Sequence, residues 1–447
     1  MVIHEPPKTT PVIDEVDLVV IGGSCTGVFA AVRAARLGLK VAIVEKQNCF
    51  GGLATAGNVN IWHSLADTIG ERQIIAGLTK EVIDRLAVRN AVLFTSDLTD
   101  AFHLNTEELK IELDTLVTEE GIIPYLHTMF VDVLVEDDVL KAVIVENKNG
   151  RGAIRAAQFI DATGDADLVA RLKLPVFVPD TLQPPTLCAK IYGMKGLAGF
   201  DWQRCVKEHG EEFGLDADWG WGGPIPGLPD IQMRADTHVF KCDTLDAGQL
   251  SFAEIEGRRQ VRALMDLIRK YGPPRTEPVL VDLASTIGVR ETKRAVAGYR
   301  LCGEDVLFGK SYKDAIANGS DRVDIHHADG PGITFRYLDG TELVVSERGA
   351  EPLKRRWREP IKCDPTFYQI PLRCLVQERI KNLMLAGRML DADKVAFSAV
   401  RVMVNMNQTG EAAGVAAVLA LSQGLAVQEL DPGLVRKTLA DGGSIII

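Results

Sequence analysis

Four apolar residues, Leu18 to Ile21, run without a polar interruption into Gly22-Gly23-Ser24-Cys25-Thr26-Gly27. A short continuous apolar run is how a strand reads when both its faces are buried, as in a parallel sheet. Helical spacing begins near Thr26 and continues to Leu37, ending at Gly38, and Val41 to Val44 form a second buried run closed by Glu45. Strand, glycine turn, helix and strand make one βαβ unit. Gly22 allows the tight turn out of the strand, and Gly27 lets the helix pack closely on the sheet, a face that Ala30, Ala31, Ala34 and Ala35 extend. The middle position, where a pyrophosphate must approach the backbone, is Ser24 rather than the commoner Gly; it is small, and its hydroxyl can donate to a phosphate. The anion would rest at the helix N-terminus, where N–H groups and the dipole attract it. Glu45 is placed to accept ribose hydroxyls and to repel a 2′-phosphate, which disfavours NADP. The unit implies a dinucleotide without saying which one.

The chain has 447 residues, 46% of them hydrophobic, which suits two intertwined domains. A net charge of −11 argues against nucleic acid as a partner. The basic run Lys354, Arg355, Arg356 and Arg358 around Trp357 is the local exception and reads as a solvated surface segment. None of the eight cysteines stands in a CxxC pair, which argues against a disulfide framework, a zinc site or a redox dithiol. No stretch has the length of a membrane span, and Met1 to Thr10 carry no apolar signal region. A reducing, cytoplasmic setting and no bound metal are expected.

Further along, Thr106 to Glu120 has helical spacing, with Leu109, Leu113 and Leu116 on one side. Val131–Val135 and Ala142–Glu146 read as a hairpin joined by Glu136, Asp137 and Asp138. Ala157–Asp161 reads as a buried strand leading into Ala162-Thr163-Gly164-Asp165. The middle of the chain is turn-rich, and Trp219–Pro229 reads as an irregular loop. Leu383–Ala386 is strand-like, and a last strong helix is expected over Gly410–Leu421.

Several stretches taken together carry a resemblance. Asp17 through Glu45, then Gly51-Gly52-Leu53-Ala54-Thr55-Ala56-Gly57, resemble the start of the FAD-dependent oxidoreductases of the glutathione-reductase-like superfamily. Within it the chain is most similar to a broad bacterial family of FAD-dependent oxidoreductases. Asp161-Ala162-Thr163-Gly164-Asp165, Gly288-Val289-Arg290-Glu291-Thr292-Lys293-Arg294, Asp324-Ile325-His326, Tyr368-x-Ile370-Pro371-x-Arg373, Asn382 through Arg388 and Gly410 through Gly414 follow in the family's order. Met389 to Asn407 match less closely.

The resemblance implies non-covalent FAD in a doubly wound α/β domain made from residues 14–170 and 363–447, with a mixed α/β substrate domain, 171–362, inserted between. It implies that Gly51, Gly52, Leu53, Ala54 and Thr55 pass beneath the flavin, and that Met129 and Phe130 contact adenine. Ala162, Thr163, Gly164 and Asp165 would then lie near the adenosine and pyrophosphate, and Gly387 and Arg388 near the ribityl chain. Gly22, Gly23, Ser24, Cys25, Thr26, Gly27, Glu45 and Lys46 complete the nucleotide site. Asn405, Asn407 and Gln408 are donors to the flavin or ordinary helix-capping residues.

A flavin dehydrogenase asks the protein to position a donor carbon and to supply a base. His326 is the preferred base because imidazole titrates near neutrality, with His327 adjacent. Arg290 and Arg373 are candidates to clamp a carboxylate or steady enolate-like charge, or else are salt-bridged to carboxylates such as Glu291. Tyr368, Trp62 and His63 are candidates for the cavity wall or for packing. The expected reaction is hydride transfer between a small organic substrate and flavin N5. One alternative is monooxygenation with external NAD(P)H, although Arg388 stands where aromatic hydroxylases usually carry Asp. The other is a flavin-bound, RNA-associated or assembly protein using the basic run. The electron acceptor, and whether the chain is a monomer or homo-oligomer, stay open.

Overall fold

The computed structural model describes residues 2–4, 6–95, 101–197, 199–218, 220–274 and 277–447. β1 (Val12–Ile21), α1 (Cys25–Arg36) and β2 (Val41–Val44) form the anticipated unit. β1 lies between β2 and the strand Gly150–Asp161, parallel to both. Ile123–Tyr125 extends the sheet beyond β2, and Leu383–Leu385 pairs in parallel with Gly150–Asp161. Met129–Glu136 and Val139–Asn147 add an antiparallel hairpin on the same strand, giving seven strands. Its two-residue turn puts Asp137 and Asp138 at φ 52° and 59°, as a type I′ turn requires.

The sheet is buried on both faces, which explains the unbroken apolar runs. Leu18, Val20, Val41 and Ile43 belong to one core with α1, while Val19, Ile21, Ala42 and Val44 join a second core with the hairpin. α1 packs against the long helix Met403–Gln423. A Cβ on Gly410 would stand 2.1 Å from Thr26 O, and one on Gly414 2.4 Å from Ala30 O. These glycines do not mark a helix start. They let two backbones meet, so the helix begins seven residues before Gly410, and Asn405, Asn407 and Gln408 lie inside it.

The middle of the chain builds a four-stranded antiparallel sheet in the order Trp221–Ile225, Leu228–Ala235, Ala189–Tyr192, Val279–Leu283, sharing its own core with the helix Ala247–Tyr271. The stretch expected as an irregular loop is therefore a hairpin, apart from Trp219, which lies outside the described residues. Pro224 is tolerated because Trp221–Ile225 is an edge strand, where a missing N–H leaves no neighbour unpaired, and Pro229 lies before Ile231–Arg234, the part of its strand that pairs with Ala189–Tyr192. A second four-stranded sheet begins with Val323–His326 and ends with the edge strand Leu353–Arg356. Arg355 in that strand pairs with Glu342, Arg356 donates to Asp339 O, and Arg358 lies 2.6 Å from Asp364. No helix among the described residues is long and apolar enough to cross a membrane.

Candidate active site and nucleotide cleft

A cleft of about 490 Å³ opens at the carboxyl ends of β1 and β2, where open α/β sheets place their ligands. Gly22 leaves β1 at φ 100°, and α1 begins three residues on without an acidic residue in its first turn. The first four N–H groups of a helix have no partner within it, so this end of α1 attracts anions. Glu45 lies across the turn. Its Oε2 accepts from Gly23 N at 2.7 Å and its Oε1 from Gln47 N at 2.8 Å, which leaves lone pairs for further donors. Thr128, Met129 and Phe130 form another wall, and Thr163 a third. Lys46, Arg171, Lys173 and Lys293 line the cleft against two carboxylates, Glu45 and Asp167, a local excess of positive charge on an acidic protein.

The loop after β2 is stitched to the glycine turn. Gly51 N donates to Gly23 O at 2.8 Å, and Thr55 Oγ1 donates to Phe50 O at 2.5 Å. Gly51 and Gly52 adopt φ 107° and 56°, and Gly52 opens a single 3-10 turn through Leu53 to Ala54. Cys25 Sγ lies 3.7 Å from Gly51 O, and burial pushes its thiol up to about 12. It is a packed thiol rather than a nucleophile. On the far side, Arg388 pairs with Asp165, and Thr292 Oγ1 donates to Asp165 at 2.9 Å. Burial alone would raise the Asp165 carboxyl, but Arg388 and Lys46 outweigh it and hold it below its usual range. Gly164 and Gly387, at φ 76° and 93°, shape the two turns.

From Thr292 the chain leads back to a second constellation. Arg290 Nη1 donates to Pro184 O at 2.5 Å and to Thr186 Oγ1 at 2.6 Å. Glu291 and Arg294 form a fully buried ion pair, and Glu291 also accepts from Gln183 N. Gln183 in turn accepts from His326 N at 3.1 Å. His326 Nε2 lies 3.3 Å from Asp324 Oδ1, and its buried Nδ1 has no hydrogen-bond partner. Arg401, just past the helix Lys394–Val400, brings its Nη2 to 3.3 Å from the same Asp324 oxygen. The His238 ring lies 5.0 Å from that of His326, with its Nδ1 2.6 Å from Asp218.

Burial, followed by the charge of Arg290, pushes His326 well below the usual imidazole value. Burial also lowers His238 against the pull of Asp218. Both rings are therefore neutral at physiological pH. His327 differs: Nδ1 is 3.3 Å from Pro331 O and Nε2 3.1 Å from Thr334 Oγ1. The adjacent histidines are thus distinguished, one structural and one with a free ring nitrogen.

Residues 17–439 match the FAD dependent oxidoreductase family. The chain belongs to that family. None of the curated proteins matches it in sequence. Among solved structures, a geranylgeranyl bacteriochlorophyll reductase-like protein from Thermoplasma acidophilum is 12% identical, covering 97% of this chain and 84% of that one, with a TM-score of 0.47. A flavoprotein/dehydrogenase from Cytophaga hutchinsonii is 14% identical over 95% and 83%, with a TM-score of 0.45. The flavin-dependent brominase Bmp2 is 13% identical over 96% and 83%, also with a TM-score of 0.45.

The residues of this FAD-dependent oxidoreductase fit the cofactor. The cleft has the size of a small-ligand site, its turn is closed by Gly22 and Gly27 packed against Ala162 and Gly22 backbone so that the helix N-terminus stands open to it, and Asn407 is buried with neither amide atom partnered. Other expected site residues are engaged elsewhere. Gln408 is bonded to both Asn318 N and Asn318 O, and Asn405 donates to Tyr368 Oη. Tyr368 is fully buried, its hydroxyl donating to Ala399 O and accepting from Asn405 Nδ2, so it ties the end of Lys394–Val400 to the start of Met403–Gln423 instead of forming a wall. Arg373 sits 2.5 Å from Asp314 and stacks on Tyr299 and Tyr312, apart from His326 and Arg290. Trp62 is a fully buried core residue set edge-on to Phe29, and His63 lies 3.7 Å from Asp321. Sequence reasoning missed Arg401, His238, Asp218 and Gln183, which carry no local motif.

Proposed function

We propose that this protein transfers hydride between a small organic substrate and non-covalently bound FAD, at the junction of a domain formed by residues 14–170 and 363–447 with an inserted substrate domain, 171–362. When bound, the cofactor supplies a two-electron hydride acceptor or donor at flavin N5. His326 carries the reading: a buried, neutral imidazole whose Nδ1 has no partner. In the oxidative direction it takes the proton of a substrate O–H or N–H as the neighbouring C–H bond breaks; in the reductive direction it returns one. Asp324 lies 3.3 Å from Nε2, and Gln183 holds the His326 backbone N–H. The Gly288–Arg294 stretch fixes this base relative to the nucleotide cleft, because Thr292 touches Asp165 while Arg290 reaches Thr186. Reoxidation by oxygen, a quinone or a carrier protein completes the cycle in a reducing, cytoplasmic setting. The commitments of Arg355, Arg356 and Arg358 to intramolecular partners favour this reading over RNA association.

The test is an anaerobic screen of organic donors against the purified holoprotein, following loss of the oxidised-flavin absorbance. At least one donor should bleach it. His326→Ala should slow that bleaching by about 10²–10⁴-fold with the FAD content unchanged. Bleaching by NADH alone, with no organic donor active, replaces this reading with a reductase or monooxygenase.

A further inference from the structure

Resting on that reading of the junction, we infer that the substrate is an organic carboxylate, held by Arg290 with Arg401 beside it. Charge balance carries the inference. Arg290, Arg401 and Asp324 stand around His326, and Asp218, Arg348, Asp236 and Arg234 continue the cluster from the neighbouring His238: four guanidiniums and three carboxylates in all. Arg234 and Arg348 share Asp236, and Asp218 is taken by His238 and by Gly332 N. Asp324 serves both Arg401 and His326. Arg290 is left without an ion pair among the described residues. Its contacts are a carbonyl and a hydroxyl, both on Nη1.

A half-buried guanidinium without a counter-charge is costly, because water compensates it only in part. Burial, then the nearby Arg401 charge, push Arg290 down to about 10. Arg401 Nε is likewise buried without a partner. An anion arriving between these two cations relieves both. The planar fork of a guanidinium matches the two oxygens of a carboxylate, which fixes orientation as well as charge. A carboxylate anchored there sets the rest of the molecule beside the unpartnered Nδ1 of His326, while a neutral analogue leaves Arg290 uncompensated. The other anion such a pair could face is the reduced flavin itself, so the test separates the two.

The experiment uses the oxidised holoenzyme and three matched probe pairs: malonate and malonamide, lactate and lactamide, benzoate and benzamide. Binding is read by flavin difference spectra and by calorimetry. At least one carboxylate should bind tenfold or more tighter than its amide. Arg290→Gln should remove that preference while retaining FAD and the flavin midpoint potential. Arg290→Lys keeps the charge but not the fork, and should restore it in part; the wild-type comparison stands even if neither variant folds. Equal binding of amides, or no response to any probe, overturns the inference. So does an Arg290→Gln variant whose potential shifts while its carboxylate affinity stays, which would assign Arg290 to the flavin. A holoprotein that holds FAD and is reduced only by neutral donors sinks this inference alone; protein that refuses FAD sinks the reading beneath it.

Discussion

The nucleotide cleft and the His326 junction are built from different materials. The anion-facing turn of the cleft is made by backbone: a glycine turn and a helix end, stitched to a second glycine loop within residues 22–57, while Thr128–Phe130 and the segment after Asp161 add the other walls. The junction is made of side chains drawn from well-separated segments: Gln183, Asp218, His238, Arg290, Asp324, His326 and Arg401. A backbone site tolerates no added atoms but needs few particular side chains beyond Glu45. A side-chain site tolerates rearrangement of its neighbours but fails when charge is unbalanced. The two should therefore break in different ways.

The largest effect is expected where backbone meets backbone. A Cβ on Gly27 would lie 1.9 Å from Gly22 O, so Gly27→Ala must displace α1 from the turn. A misfit of this kind costs about 1–3 kcal/mol, occasionally more, and the variant should lose both stability and FAD, read as the FAD-to-chain ratio after gel filtration. Gly38→Asn, at the open end of the same helix with nothing within 4 Å, should keep its FAD. If Gly27→Ala stays fully loaded and equally stable, close packing does not make the cleft.

The same contrast explains what could be read from the sequence. Gly22, Gly27, Gly51 and Gly52 were legible because a positive φ or a forbidden Cβ leaves few other residues admissible. Gly410 was legible as important but misleading as a boundary, since helix propensity treats glycine as a break while here it is a contact with α1. The hairpin at Trp221–Ala235 was hidden because its prolines and glycines speak against strands unless Pro224 is known to lie on an edge and Pro229 outside the paired residues of its strand. His326 could be proposed from its residue type and motif. His238, Asp218 and Arg401 could not, because only the tertiary fold brings them within reach of it. Tyr368 and Arg373 show the converse: a motif located them, and packing gave them other partners.

At the junction the expected effect is smaller and depends on pH. His326 and His238 have folded-state values below the unfolded value of roughly 6.5. Below that pH the unfolded chain binds protons that the folded chain refuses, so stability falls as pH drops. The slope approaches about 1.4 kcal/mol per pH unit for each histidine. Urea unfolding of the holoprotein at pH 7.0 and pH 5.5, conditions on the order of those bracketing this range, should show His326→Asn losing less than the wild type. For the same reason kcat/KM should have no acid limb near 6.5. An unchanged pH slope in His326→Asn would mean that this histidine charges within the fold.

The smallest effect is expected where side-chain charge supplements the backbone site. Lys293 lines the cleft and lies 3.4 Å from Asp167, partly exposed, so its attraction for a pyrophosphate is diluted by water. Lys293→Gln should weaken FAD binding by about two- to fivefold, the scale of an exposed charge contact. That difference should shrink as salt rises, because exposed charges are screened over about 10 Å at 0.1 M ionic strength. Backbone N–H groups of the α1 N-terminus would hold a pyrophosphate by direct hydrogen bonds, which should be far less sensitive to salt. Titrating FAD into the apo forms of both proteins at low and high salt separates the two contributions. A salt-independent loss in Lys293→Gln would mean that the lysine shapes the cleft by direct contact, and the division between a backbone-made and a side-chain-made site would have to be redrawn at this residue.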